Sequence, residues 1–318
     1  MTLSRNIYHL LLLLPLVSAA QPPSSSDTAD TKETQAILAD VQTFADNMLK
    51  YGRDHYGQQD TPLFVNQLDI YTQEIPEPRH GMWYLPEQMR MGASPTGSNF
   101  HYDVGLLRTM EALGALTGDP KYSEAVTDNL NFILTNTAVL PVGFTVNGTR
   151  PVLPGGDHLY WDVLEDRPNG HYHEMRGSRF LWDEMYTLNP NATTHEIETF
   201  HAHILEPEKS FAINRHNPFD NWIGHARRTS VLTLPSSAGI YLQAWSFLYA
   251  KTKDPKYLEW TLGLANYLWV NRGKKTDIIP SAGERKSLNN AYDTPQSRVI
   301  YGMEPWSSYI ASVLYASR

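Results

Sequence analysis

The chain has 318 residues, enough for one large domain or two small ones, with 41% hydrophobic and 19% charged residues, the balance of a globular protein rather than a disordered one. Its formal charge of −8 and pI near 5.8 exclude a general nucleic-acid binder, which needs a basic face. It has no cysteine, so disulfides are excluded, and a metal site would have to use histidine and carboxylate donors.

The first twenty residues read as a signal peptide. Arg5 and His9 precede the apolar run Leu10 to Val17, and the small residues Ser18, Ala19 and Ala20 supply a cleavage site. The run is too short for a stable membrane anchor, so the expected product is secreted or periplasmic, without a membrane span. Removing residues 1–20 takes away Arg5 and no acid, which leaves the mature chain more acidic still. Residues 21–31 (QPPSSSDTADT) are Pro/Ser-rich and read as a disordered tether. Residues 32–318 are expected to form a single domain and to act as a monomer.

A first helix is predicted from Glu33 to Tyr51, where Ile37, Val41, Phe44 and Met48 recur at three- and four-residue steps and Gly52 ends the run. Arg53 to Asn99 lacks a sustained period and reads as long loops with short strands, the kind of segment that often carries function. Helical patterning returns at His101 to Leu116 and at Tyr122 to Thr135. The link between those two, ALTGDPKY (Ala115 to Tyr122), recurs as AKTKDPKY (Ala250 to Tyr257) between predicted helices at Ile240 to Ala250 and Lys256 to Val270. In both copies an Asp caps the incoming helix, and Pro occupies its first turn, where a missing N–H costs nothing. Repeated hairpins imply an all-α fold, an (α/α) toroid whose helix ends and loops surround a cleft. With a helix at Glu174 to Tyr186, one carrying His195 to His203 and a last one at Trp306 to Ala316, about eight are expected. A closed ring needs twelve or more, so the chain is expected to be a partial ring or a piece of a longer protein.

The chemistry is concentrated between Gly155 and His216. GGDHLYWD (Gly155 to Asp162), GHYHEMRGSRFLWDEMY (Gly170 to Tyr186) and INRHNPFDNW (Ile213 to Trp222) interleave histidines with carboxylates, arginines and aromatics. His171 and His173 would share a face of an extended strand. His195, His201 and His203, with Glu196 and Glu198, are assigned to a solvated helix face. The loop histidines His158, His171, His173 and His216 are the metal-ligand candidates, because loops with Gly, Arg and carboxylates carry sites. Histidine and carboxylate together suit Mn, Fe, Co, Ni or Zn rather than calcium. Spacing alone does not choose among them. Trp182, spaced helically with Phe180 and Met185, reads as core, whereas Trp161 and Trp222 are candidate sugar platforms. Two Asn-x-Thr sequons occur, at Asn147 and Asn191.

His158 in a Gly-rich loop, Glu174 downstream and the adjacent pair Arg215-His216 resemble the family 2 polysaccharide lyases, pectate lyases built on an α/α barrel. The stretch YGRDHYGQQDTPLF (Tyr51 to Phe64) and the ALTGDPKY turn are similar to exported pectate-lyase-like proteins. The resemblance implies that two His and one Glu hold a divalent transition metal, Mn first with Co or Ni as alternatives. The ligands would be His158, Glu174 and His216, with His171 or His173 able to replace His158. Arg215, directly before the second ligand, would be the catalytic base. Arg176, Arg179 and Trp222 would bind an acidic polysaccharide or oligosaccharide, with Arg227 and Arg228 as further cationic subsites.

Two other classes compete. A glycoside hydrolase on the same toroid would need paired carboxylates, which Asp103, Asp157, Asp162, Glu174 and Asp183 could supply. A non-catalytic carbohydrate-binding protein would rely more on exposed aromatics than on ionisable loop residues.

Overall fold

The computed structural model describes residues 28–76, 96–137, 159–170, 172–173, 181–202, 204, 213–214, 216–217, 231–232, 235–270 and 275. Seven helices lie within them: α1 (Thr28–Tyr51), α2 (Phe100–Thr117), α3 (Pro120–Thr137), α4 (Trp182–Leu188), α5 (Pro190–Ala202), α6 (Pro235–Thr252) and α7 (Pro255–Val270). Each packs on the next in chain order. The fold is all-α and built from helical hairpins, as an α/α toroid requires. Five helices, α1, α2, α3, α6 and α7, fall within a few residues of their predicted limits or extend them. Helix α1 begins at Thr28, inside the stretch 21–31 read as a tether. Helix α4 spans Trp182–Leu188 and is preceded by the non-helical Leu181, so the helix expected from Glu174 to Tyr186 does not run unbroken through that point. Residues 174–180 and the expected helix at Trp306 to Ala316 lie outside the described residues.

Helix α2 shows why the pattern folds as it does. Asn99 caps it in extended conformation, its side chain accepting the His101 N–H at 2.9 Å. Phe100, Val104, Leu107, Met110 and Leu113 are buried at helical spacing, each worth about 1.5–3 kcal/mol of apolar burial. The helix closes on Gly118 in the left-handed region at φ 71°. The core continues through Tyr122, Leu130 and Ile133 of α3 to Tyr241, Trp245 and Leu248 of α6. Trp182 and Met185 of α4 belong to it, as the helical spacing predicted.

The repeated motif forms the same device twice. Thr117 and Thr252 donate to the carbonyls four residues back, Leu113 and Leu248, at 2.7 and 2.8 Å. Asp119 and Asp254 each accept the N–H two residues on, from Lys121 and Lys256, at 3.1 and 3.0 Å. The Lys and Tyr that follow then converge on one carboxylate of the helix preceding the hairpin. Lys121 Nζ and Tyr122 Oη reach Asp46 of α1 at 2.9 Å each, while Lys256 Nζ and Tyr257 Oη reach Glu198 of α5 at 2.8 and 2.7 Å. The recurrence is therefore architectural and not only good loop chemistry. The α4–α5 link is a third, reduced copy, Thr187-Leu188-Asn189-Pro190. Thr187 donates to Asp183 O at 2.7 Å, and Asn189 accepts from Ala192 N–H at 3.0 Å. Ala192 stands where the other copies have Tyr, so its hairpin lacks that docking.

Between the hairpins lie longer connections that carry strands. β1 (Gly97–Ser98) sits just before α2; β2 (Leu159–Asp162), β3 (Arg167–Gly170) and β4 (Tyr172–His173) join α3 to α4; β5 (Ile213–Asn214), β6 (His216–Asn217) and β7 (Val231–Leu232) join α5 to α6. β1-β2-β3 form one antiparallel sheet, with β4–β6 and β5–β7 as two-stranded ladders. The three long connections are thus hydrogen-bonded to one another, while the short turns close the hairpins.

The left-handed position of the turn is Gly118 in one copy and Lys253, at φ 61°, in the other. A Cβ on Gly118 would meet nothing within 4 Å, so its substitution carries only the backbone cost. Gly118→Ala is expected to lose about 1 kcal/mol. Lys253→Gly is expected to gain up to about 1 kcal/mol, less its weak cation contact over Tyr249. Urea unfolding of both variants checks this: shifts of the same sign would contradict it.

Candidate active site

The strand registers gather residues that are far apart in sequence. In the β4–β6 ladder His173 lies directly opposite His216, and Tyr172 opposite Asn217. In sequence, Glu174 is the residue after His173 and Arg215 the residue before His216. In the β2–β3 ladder the last described pair is Leu159 with Gly170. His158 and His171 are the next residue on either side of it. The β4–β6 ladder therefore brings together His173 and His216, which lie far apart in the sequence.

Asn214 is paired with Val231 in the β5–β7 ladder, and His216 with His173 in the β4–β6 ladder. Of the predicted site residues, His216 is placed by its strand, whereas His158, Glu174, Arg176, Arg179, Arg215 and Trp222 lie outside the described residues. Asp157, His171, Arg227 and Arg228 do as well. Among the described residues, no three His, Asp or Glu side chains come together as a metal site.

Several neighbouring readings are corrected. Trp161 is buried against Phe132, edge to face with centroids 5.1 Å apart, and is core rather than a sugar platform. The helix face of His195 to His203 is not wholly solvated. Glu196 is buried, and His201 is half-buried, stacked on Trp260 at 3.8 Å between centroids. Burial lowers the His201 pKa to about 4, against a smaller opposing effect of Glu198, which keeps the ring neutral at ordinary pH. The burial of Glu196 was legible in part: it follows Ala192 and Thr193 at helical spacing and adjoins Ile197, all three buried.

The carboxylates offered for a hydrolase do different work. Asp183 is exposed and paired with Lys251 at 2.8 Å. Asp162 is buried and accepts the N–H groups of Leu164 and Glu165 at 3.2 and 3.4 Å, shaping the β2–β3 turn. Asp103 is buried in α2, where desolvation pushes its carboxyl up to about 8 against the hydrogen bond from Ser98 Oγ at 3.3 Å. Glu196 is likewise pushed up to about 8 by burial. Asp103 and Glu196 are thus held protonated inside the helix layer.

A family model described as periplasmic pectate lyase matches residues 61–291, well over half of the chain and the whole of the neighbourhood above.

The two buried acids set a pH dependence with a definite sign. Asp103 has an ordinary pKa of 3.8 in the unfolded chain and about 8 when folded. Below about pH 4 it is protonated in both states. Between about 4 and 8 only the folded state keeps the proton, so stability falls as pH rises through that window. Asp103→Asn, which preserves the neutral form's shape, is expected to flatten the fall. Melting temperatures from pH 5 to 8 decide it: a variant curve parallel to that of the parent would count against a buried neutral Asp103.

Proposed function

Because the chain belongs to the periplasmic pectate lyase family, we propose that it cleaves polygalacturonate or oligogalacturonide by metal-dependent β-elimination. The observation that carries this reading is the match of residues 61–291 to that family, and the β4–β6 register, which pairs His173 with His216, supports it by bringing two of the loop histidines together. The donor set fits a divalent transition metal, with histidine nitrogen and carboxylate oxygen from His158, Glu174 and His216 and octahedral positions left over for substrate. When bound, Mn, Co or Ni would act as a Lewis acid on the C6 carboxylate and make the C5 proton removable.

Arg215 is assigned the proton transfer. It takes the proton from C5, the C4–O4 bond breaks as the C4=C5 double bond forms, and the departing O4 is protonated by solvent. A guanidinium does not ordinarily accept a proton; burial and a neighbouring positive charge both favour its neutral form. Arg176 and Arg179 would bind uronate carboxylates bidentately, and Trp222 would stack a sugar ring. A net-acidic protein needs such a local cationic patch to hold an acidic polymer. Export to the periplasm follows from the leader pattern in residues 1–20 and agrees with the family's description. Among the described residues no helix is long and apolar enough to cross a membrane.

The test is incubation with polygalacturonate, following the ultraviolet absorbance of the unsaturated product. Absorbance should appear, vanish with chelator and return with added Mn, Co or Ni. Arg215→Ala should lose about a thousandfold in turnover while still binding metal. New reducing ends without absorbance would overturn the elimination in favour of hydrolysis.

A further inference from the structure

The connection between α1 and β1 carries a ring stack that the lyase reading does not use. His55 stacks on Tyr56 with centroids 4.2 Å apart and planes 26° apart. Tyr56 is half-buried against the core, whereas the His55 side chain keeps 46% of its surface in solvent. Both rings are held. Tyr56 Oη accepts the Ile75 N–H at 3.1 Å and bonds the Glu74 carboxylate. His55 Nδ1 donates to the Arg53 carbonyl at 2.9 Å, and its Nε2 lies 3.6 Å from Glu74. The loop beneath is closed by Asp54 N–H to Leu63 O at 2.9 Å and Val65 N–H to Gly52 O at 2.8 Å. Buried Asp54 accepts the Thr61 hydroxyl at 2.6 Å and the Tyr56 N–H at 3.2 Å. The tip is docked on the β2–β3 turn, where the Gln58 N–H meets Asp166 and a Cβ on Gly57 would collide with the same carboxylate.

We propose that the His55–Tyr56 stack is an accessory ledge that binds an uncharged sugar ring. The proposal rests on the chain's acting on a polysaccharide, but not on the metal or on Arg215. A sugar ring offers a flat face of C–H groups, which suits a pre-ordered aromatic surface. Gln58 and Gln59 are exposed in the same loop, and their amides can both donate to and accept from hydroxyls. Charge selects the ring. Asp60, Glu74, Glu165 and Asp166 outnumber Arg53 and Arg167, and Arg167 is already paired with Glu165. A free uronate carboxylate is therefore repelled here, while a methyl-esterified uronate or a neutral sugar is not. The stack and the loop tip, residues 55–60, precede the stretch 61–291 that the family model matches.

Calorimetric titration of the full chain tests this, with chelator present so that no probe is consumed. The probes are methyl-esterified trigalacturonate, a neutral galactose trisaccharide and free trigalacturonate. His55→Ala should weaken binding of an uncharged probe about fivefold to tenfold, the loss of one ring contact, and leave free trigalacturonate unchanged. His55→Phe, which keeps a flat ring, should restore most of the loss. A response confined to the ester assigns the ledge to an esterified main chain, and one confined to galactose assigns it to a neutral branch. Unchanged affinities in His55→Ala, or no binding of either uncharged probe by the parent, would overturn the ledge. Equal weakening for free trigalacturonate would overturn the selection by charge. A parent chain that fails to cleave polygalacturonate would remove the lyase reading, while these titrations would still report on the ledge.

Discussion

The turn that closes each helical hairpin is the constraint on which the rest of the chain depends. With two residues between α2 and α3, or between α6 and α7, the helices must run antiparallel and in contact. An Asp at the turn satisfies an N–H at the start of the second helix, and a Thr satisfies a carbonyl at the end of the first. The Lys-Tyr pair beyond it docks the hairpin on the preceding helix through Asp46 or Glu198. Each of these ion pairs is half-exposed and individually weak. Their contribution is to orientation, since two donors on a single carboxylate fix the rotation of the second helix. The Glu198 contact raises the Lys256 pKa and, after burial, that of Tyr257 to about 12.

Tight turns leave no room for chemistry, so function falls to the long connections. The ladders join them pairwise, β1 with β2 and β4 with β6. The backbone bond from the Val163 N–H to the Thr96 carbonyl, at 2.8 Å, ties the second connection to the first, and one from the Asn66 N–H to the Gly97 carbonyl, at 2.7 Å, closes the first on itself. The Gln58 N–H adds a bond to Asp166 at 2.6 Å. A loop held in this way can present charged groups without the motion that would weaken their positioning.

The buried acids show the same economy in the helix layer. Asp103 and Glu196 are kept neutral by desolvation, so the helical core carries ionisable groups without carrying their charge. His201 follows the same rule in the opposite direction, with burial suppressing its positive form.

The helices were legible in the sequence because their apolar spacing and their caps are local facts: Asn99, Asp119, Asp254 and the prolines after the aspartates mark boundaries to within a few residues. The family was legible too, through a resemblance resting on Glu174 and the adjacent Arg215-His216, which are simple to read in one dimension. The third copy of the turn escaped because Asn replaces Asp and no Lys-Tyr pair follows Pro190. The solvated reading of Glu196 and His201 failed because residue type was weighed above helical position; the layer formed by α6 and α7, which covers that face, comes from distant sequence. What only the tertiary structure decided is the pairing of 173 with 216. A two-residue strand has no periodicity to read, and its partner lies beyond two intervening helices. Local sequence determines which elements form; the register that assembles their ends comes from the packing of the hairpins that carry them.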